Sequence, residues 1–184
     1  MPARPVATLR RPTAEAVAQQ VDSLAPERSP QPCTVDLRDG QSGVSYRRLF
    51  APYLRGAREI AVVDPYIRLD YQIHNLMSFI DLVDPEAGNV KLDLITGAGS
   101  NEEEVELSAK LDQVQESANA KKITFCYRFD RTKHDRVIET DTGWRITLGR
   151  GLDIFYKPDG RFSLGFIDQA QRKCKQTSII FTRR

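Results

Sequence analysis

With 184 residues, 40% apolar and 28% charged, the chain has the size and composition of one globular domain with a tail, which excludes a collagen, a coiled coil and a wholly disordered protein. Apolar runs such as Ile60–Val63 fall far short of the roughly 20 residues a membrane-spanning helix needs, and the N-terminal arginines precede no apolar core of a secretory signal. The net charge of +2 conceals a split, since residues 1–33 carry +1, residues 34–120 carry −7 and residues 121–184 carry +8.

Residues 1–33 hold six of the ten prolines around one weak amphipathic stretch, Thr13 to Leu24, and read as a flexible proline-rich tail. The domain proper is expected over 34–184. Tyr46, Leu49, Phe50, Tyr53 and Leu54 recur at helical spacing and predict a short helix. Glu59 to Val63 predicts a strand, stopped by Asp64-Pro65. A second helix is expected from Leu69 to Val83, on the stripe Leu69, Ile73, Leu76, Met77, Ile80 and Val83. Val90 to Thr96 alternates as a strand should, and Ser100 with Glu103 forms a capping-box pattern before a third helix carrying Leu107, Leu111, Val114 and Ala118. Lys121 to Phe129 predicts the next strand. Asp135 to Thr140 and Trp144 to Leu148 predict a hairpin turning at Asp141-Thr142-Gly143. Phe162 to Phe166 and Thr177 to Thr182 are expected to complete about six strands. Helices alternate with strands only as far as residue 129, so the sheet should have a parallel part and an antiparallel part.

The three cysteines, Cys33, Cys126 and Cys174, are odd in number and far apart, which argues against a disulfide framework or a zinc knuckle and sets the expectation of a reducing cytoplasm. No metal site and no cofactor are expected. Gly97 to Ser100 has the outline of a dinucleotide loop, but Glu102, Glu103 and Glu104 crowd the helix start where phosphates would sit. Walker, H-E-x-x-H and G-x-S-x-G motifs are absent.

Of the two histidines, His74 falls within the second helix and reads as a surface or packing residue. His134 stands two residues before Arg136, with Asp141 following. If all were on one strand, the imidazole and guanidinium would point into the same pocket and Asp141 would orient them. Histidine beside a fixed cation is the pairing that attacks and then holds a phosphoryl group.

The spacing is that of the H-x-K-x-x-x-x-D pattern of the phospholipase D superfamily, with arginine for lysine. Together with D-P-Y-I-R (Asp64 to Arg68), Y-Q-I-H-N-L (Tyr71 to Leu76), G-W-R-I-T-L-G-R-G-L-D (Gly143 to Asp153) and R-F-S-L-G (Arg161 to Gly165), it resembles the C-terminal phospholipase-D-like domain of the MIT-domain-containing protein 1 family, from about Ser45 to Thr182. The resemblance implies an α/β fold, a phospholipase-D-like mixed sheet flanked by helices in a single domain. It also implies a homodimer that binds acidic phospholipids, phosphoinositides among them, without established catalysis. The proline-rich stretch 1–33 is not expected to form the helical MIT bundle.

Where the superfamily has Ser and Asn in a G-S-x-N element, this chain has Gly149-Arg150-Gly151, so hydroxyl and amide ligands for a reacting phosphate are missing while anion-gripping charge remains. No catalytic residue is therefore expected; were the protein active, His134, Arg136 and Asp141 would carry the chemistry. The expected anion- or lipid-binding set is His134, Arg136, Arg150, Gly149, Gly151, Arg145, Arg68, Lys157 and Arg161, with Asp64 supporting the pocket by pairing with Arg68 or Arg136 or by capping the turn. The favoured partner is an acidic phospholipid surface, met by a cytoplasmic protein peripheral to the membrane. One alternative is a dimeric phosphodiesterase or nuclease acting on nucleic acid through His134. Another is an adaptor that docks an unknown protein partner through the acidic helix Asn101 to Ala118.

Overall fold

In the computed structural model, residues 29–83, 88–157, 164–166 and 168–184 are described. The Thr13–Leu24 stretch, Arg161 and the start of the strand expected from Phe162 lie outside them. The elements are β1 (Cys33–Leu37), α1 (Tyr46–Leu54), β2 (Glu59–Val63), α2 (Asp70–Ile80), β3 (Val90–Thr96), α3 (Asn101–Ala120), β4 (Ile123–Phe129), β5 (Val137–Thr140), β6 (Trp144–Leu148) and β7 (Thr177–Arg183).

The seven strands form one sheet in the order β1-β7-β6-β5-β2-β3-β4. Strands β2, β3 and β4 pair in parallel, whereas β5, β6, β7 and β1 add on in antiparallel fashion from the β2 side. The chain order explains the division. Helices α2 and α3 return the chain so that β3 and β4 run parallel to β2, and the tight turn after β5 can only reverse it.

Burial alternates along β3, with Val90, Leu92, Leu94 and Thr96 inside and Lys91 and Asp93 joined in an ion pair of 2.7 Å on the other face. The same side is buried across the register, from Phe125 through Leu92, Ile60, Ile138 and Ile146 to Phe181. Helix α1 reaches this side through Tyr53, whose ring stacks on Phe181 at 4.1 Å, and α2 through Phe79 against Phe50. Helix α3 reaches it through Leu107, Leu111, Val114 and Ala118, and Gln115 donates to the Phe125 carbonyl. The three helices thus cover one face of the sheet and build one core with it.

Helix starts follow their caps. The Ser45 hydroxyl accepts from the Arg48 N–H, and the Ser100 hydroxyl accepts from the Glu103 N–H. Glu103 turns its carboxylate back to the Gly99 N–H at 2.7 Å, so the anion position at this helix start is filled from within the chain, as the glutamate run implies.

Three departures from the sequence-based expectations have simple causes. Strand β1 is hidden in the sequence by the prolines before it, and only Leu37 of its five residues is fully buried, so its apolar signal is slight. Leu164–Phe166 forms a 3-10 turn instead of the end of a strand, because Gly165 breaks the alternation. Helix α2 is shorter than the stripe suggests. Leu69 is its extended N-cap and Val83 lies buried beyond its end, so both belong to the apolar pattern without being helical. No helix among the described residues is long and apolar enough to cross a membrane.

Candidate functional site

At one end of the sheet, β2 finishes at Val63, β6 finishes at Leu148, and β5 and β7 begin at Val137 and Thr177. The residues just outside these four ends enclose a cleft of about 540 Å³ lined by Asp64, Tyr66, Arg136, Arg150, Asp153 and Thr177, among others. Three stretches of the family-like pattern meet here. Asp64 follows β2, Tyr71, Gln72 and Asn75 sit on α2, and Gly149 to Asp153 follow β6.

Asp64 is the hinge of the arrangement, at 2% exposure. Its carboxylate accepts from the backbone N–H of Leu152 at 2.9 Å and of Tyr66 at 3.2 Å. Its own carbonyl accepts from the Thr96 hydroxyl at 2.8 Å. Burial raises its pKa above the ordinary 3.8, while the Leu152 and Tyr66 hydrogen bonds and the nearby Arg136 guanidinium oppose that rise. Asp64 thus caps its own turn and reaches across to the segment after β6, and its charge lies within reach of Arg136 rather than Arg68. Gly151 makes this possible. Its φ is +62°, and a Cβ there would overlap the Asp64 carboxylate.

Arg136 donates to the Gly149 carbonyl at 2.7 Å and lies over the Tyr66 ring, 4.2 Å from its centroid. Arg150 donates through Nε to the Gln176 carbonyl at 3.0 Å. Neither guanidinium is ion-paired with a carboxylate among the described residues, and both are positioned by carbonyl groups, although the Asp64 carboxylate is near enough to interact with the charge of Arg136. Asp153 is the counterweight. Its Oδ2 accepts from Lys175 at 2.8 Å and from the Tyr71 hydroxyl at 3.2 Å. Burial, followed by the Asp153 charge, pushes the Tyr71 hydroxyl pKa up. Behind the cleft wall, Tyr46 donates to the Leu152 carbonyl and Asn75 Nδ2 approaches the same oxygen, while Asn75 Oδ1 accepts from Arg172 at 2.9 Å.

Buried side-chain polar atoms without a hydrogen-bond partner are few among the described residues. They are Arg136 Nε, Asp153 Oδ1, Thr177 Oγ1 and Gln169 Nε2. The first three belong to residues lining this cleft. Each such atom costs about 1–3 kcal/mol if nothing satisfies it.

The anticipated binding residues divide by position. Arg136, Arg150, Gly149, Gly151 and Asp64 gather at the cleft. His134 does not share a pocket with Arg136; it is exposed in the irregular segment before β5, has no hydrogen-bond or ion-pair partner among the described residues, and does not line the cleft. The two-residue alternation that would have aligned it with Arg136 starts only at Val137. Asp141 lies at the far end of β5, where its carboxylate accepts from the Arg58 N–H, so it does not orient Arg136. Arg145 is paired with Glu139 near the hairpin turn, away from the cleft. Arg68 faces Glu103 at 3.6 Å, and together with Lys157 it lines a separate groove between α2 and α3. His74, on the surface of α2, lines that groove too.

Sequence reasoning missed Tyr66, Asp153 and Thr177 as cleft residues. Tyr66 and Asp153 stand inside the stretches that carry the family resemblance, but nothing local gives either of them a role. Thr177 carries no signal, because its location depends on β7 crossing from residue 177 back beside β6. No cluster of three or more metal-ligating side chains occurs among the described residues.

Residues 43–183 match the family described as "phospholipase D-like domain at C-terminus of MIT". A mouse protein, MIT domain-containing protein 1, is 32% identical over 147 residues, covering 79% of this chain and 59% of its own length; the chain therefore spans under two thirds of that curated relative. Among solved structures, TrmBL2, an archaeal chromatin protein whose structure is described as showing a novel mode of DNA binding, aligns with 92% of this chain and 52% of its own, at 13% identity and a TM-score of 0.43.

Proposed function

Because the chain belongs to the family of phospholipase D-like domains found at the C-terminus of MIT proteins, we propose that it binds phosphate-bearing ligands in the cleft without hydrolysing them, acidic phospholipid headgroups being the favoured class. The observation that carries this reading is the pair of guanidinium groups, Arg136 and Arg150, held by the Gly149 and Gln176 carbonyls and in no ion pair among the described residues. A guanidinium fixed in this way presents its remaining N–H donors to an anion and loses little freedom on binding it. Catalysis is disfavoured because the superfamily's chemistry requires a histidine nucleophile at the phosphate, and the cleft lining contains none among the described residues.

The domain acts as a homodimer on this reading, consistent with a seven-stranded sheet whose second face carries no helix among the described residues. It meets the membrane peripherally from the cytoplasm.

Co-sedimentation with vesicles tests the proposal. Binding should require acidic lipid and fall as salt is raised. The double variant R136Q/R150Q should lower partitioning roughly 30-fold, at about 1 kcal/mol per basic residue near an acidic surface. R145Q should change it little, since Glu139 already holds Arg145. Equal retention on neutral vesicles would overturn the proposal, as would metal-independent phosphodiesterase activity abolished by H134A.

A further inference from the structure

A second pocket, sharing no lining residue with the cleft, opens between the start of α1 and α2. It holds about 600 Å³, and Arg47, Tyr71, His74, Met77, Leu82 and Arg172 are among the residues that line it. Arg172 is its unusual member. At 9% exposure it is, with Asp64, one of the two buried charged side chains among the described residues. Its guanidinium donates to Asn75 Oδ1 at 2.9 Å and to the Tyr156 carbonyl at 3.0 and 3.3 Å, and it lies 4.9 Å from the centroid of the Phe155 ring.

These contacts tie α2 to the segment after β6 without neutralising Arg172. Both acceptors are uncharged, and Arg172 is in no ion pair among the described residues. The Asp153 charge acts on it from farther off and is itself paired with Lys175. An arginine keeps its proton even when buried, so a full positive charge has been taken from water here without a counterion. It also has more N–H donors than these bonds use, one on each terminal nitrogen being left over. The rest of the pocket favours an anion of low charge. Arg47 is exposed, Asp81 is held by Lys121, and Asp168 caps the Ala170 N–H with its charge uncompensated. Two guanidinium groups against one such carboxylate suit a monoanion better than a dianion. Met77, 39% exposed, and Leu82 make part of the wall apolar.

We propose that this pocket is a second binding site, for a small aliphatic carboxylate, with the carboxylate on Arg172 and the apolar body against Met77 and Leu82. The leftover N–H groups on the two terminal nitrogens match the two oxygens of a carboxylate, the paired geometry in which arginine binds such groups most strongly. The bound monoanion supplies the counter-charge that Arg172 lacks. A phosphate dianion would bring a second charge to a site that already contains Asp168. The inference does not rest on the phosphate-binding reading of the cleft.

Titrating the isotope-labelled full chain with hexanoate, hexanamide and hexylphosphonate, and following the backbone amide signals, tests the site. Hexanoate should move the amides of Arg47 and of Gln169 to Arg172. It should bind at least about tenfold more tightly than hexanamide, the scale of one hydrogen bond to a charged group, and more tightly than hexylphosphonate. R172Q should erase the preference over hexanamide, with thermal melts establishing that the variant is folded. M77E keeps the test decisive if R172Q unfolds. Met77 is exposed, and a carboxylate placed there should weaken hexanoate about fivefold by repulsion alone. The variant R136Q/R150Q, which removes the cations of the cleft, should bind hexanoate as the wild type does. Equal affinity for hexanoate and hexanamide, or no binding of hexanoate, would overturn the inference. Shifts confined to Gly149 to Asp153, or loss of hexanoate binding in R136Q/R150Q, would overturn it by placing the acid in the cleft. Tighter binding of hexylphosphonate than of hexanoate would overturn the choice of ligand class. None of these outcomes decides acidic-vesicle binding, which the co-sedimentation experiment tests separately.

Discussion

The β5–β6 hairpin treats its arginines differently at its two ends. Near the turn, Glu139 takes both Arg145 and Arg184, and Asp141 closes onto the Arg58 backbone. At the base, Arg136 and Arg150 bond to the Gly149 and Gln176 carbonyls instead. A carboxylate partner cancels a guanidinium's charge, whereas a carbonyl orients it and leaves the charge in place. Two segments equally rich in arginine therefore differ in what they can attract. The glycines differ in the same way. Gly143 at the turn has φ +89°, and a Cβ there would meet nothing nearer than the Arg184 carbonyl at 3.5 Å, while Gly151 at the base is pressed against Asp64.

The largest effect should come from breaking this contrast at Gly151. G151A drives a Cβ into the Asp64 carboxylate from a left-handed backbone conformation. The conformation alone costs roughly 1–2 kcal/mol, and pushing Asp64 off an N–H partner costs about 1–3 kcal/mol more. We expect a loss of about 3 kcal/mol in urea unfolding, against only the conformational part, about 1–2 kcal/mol, for G143A. Equal losses in the two variants would mean that the contact between Gly151 and Asp64 contributes nothing.

A somewhat smaller effect is expected at Asp64 itself. D64N keeps one acceptor oxygen but turns an amide toward the second N–H, which should cost about 1–3 kcal/mol at neutral pH. The pH dependence has a definite sign. Folding raises the Asp64 pKa above 3.8, burial being the main cause, so the folded state binds the proton more tightly than the unfolded one. The contribution of Asp64 to stability is therefore full below the ordinary value and declines as pH rises through the folded-state value. Unfolding free energies measured from pH 7 downward should show the gap between wild type and D64N widening on the acid side. A gap that narrows would mean that the Leu152, Tyr66 and Arg136 interactions outweigh burial.

Much of this contrast is legible in the sequence, though unevenly. Helical stripes such as Tyr46, Phe50 and Leu54, and the alternation of Val90, Leu92 and Leu94, report burial directly, so most elements are foreseeable from local pattern. Arg136, Arg150 and the glycines around Arg150 are identifiable because charge beside turn chemistry is local too. What a sequence does not carry is the partner. That Glu139 cancels Arg145, that Gly151 makes room for Asp64, and that Thr177 closes the cleft each depend on strand register across the sheet. The charge split shows the same limit. Arg131 from the basic third meets Glu104 of the acidic middle, and Lys121 meets Asp81, so part of the segregation cancels on folding.

The smallest expected effect tests where the boundary of the site is drawn. His134 precedes β5, is exposed, and has no partner among the described residues, although only one residue separates it from Arg136. Alternation relates neighbours two apart only in extended, paired backbone, and the ladder begins at Val137, so Arg136 turns into the cleft without carrying His134 along. An exposed side chain free of contacts can be truncated at a cost within about 0.5 kcal/mol. H134A should therefore melt like the wild type and keep its acidic-vesicle binding, whereas R136Q weakens that binding about fivefold. A large loss of binding in H134A would place the imidazole in the functional surface and extend the hairpin's charged base beyond the cleft.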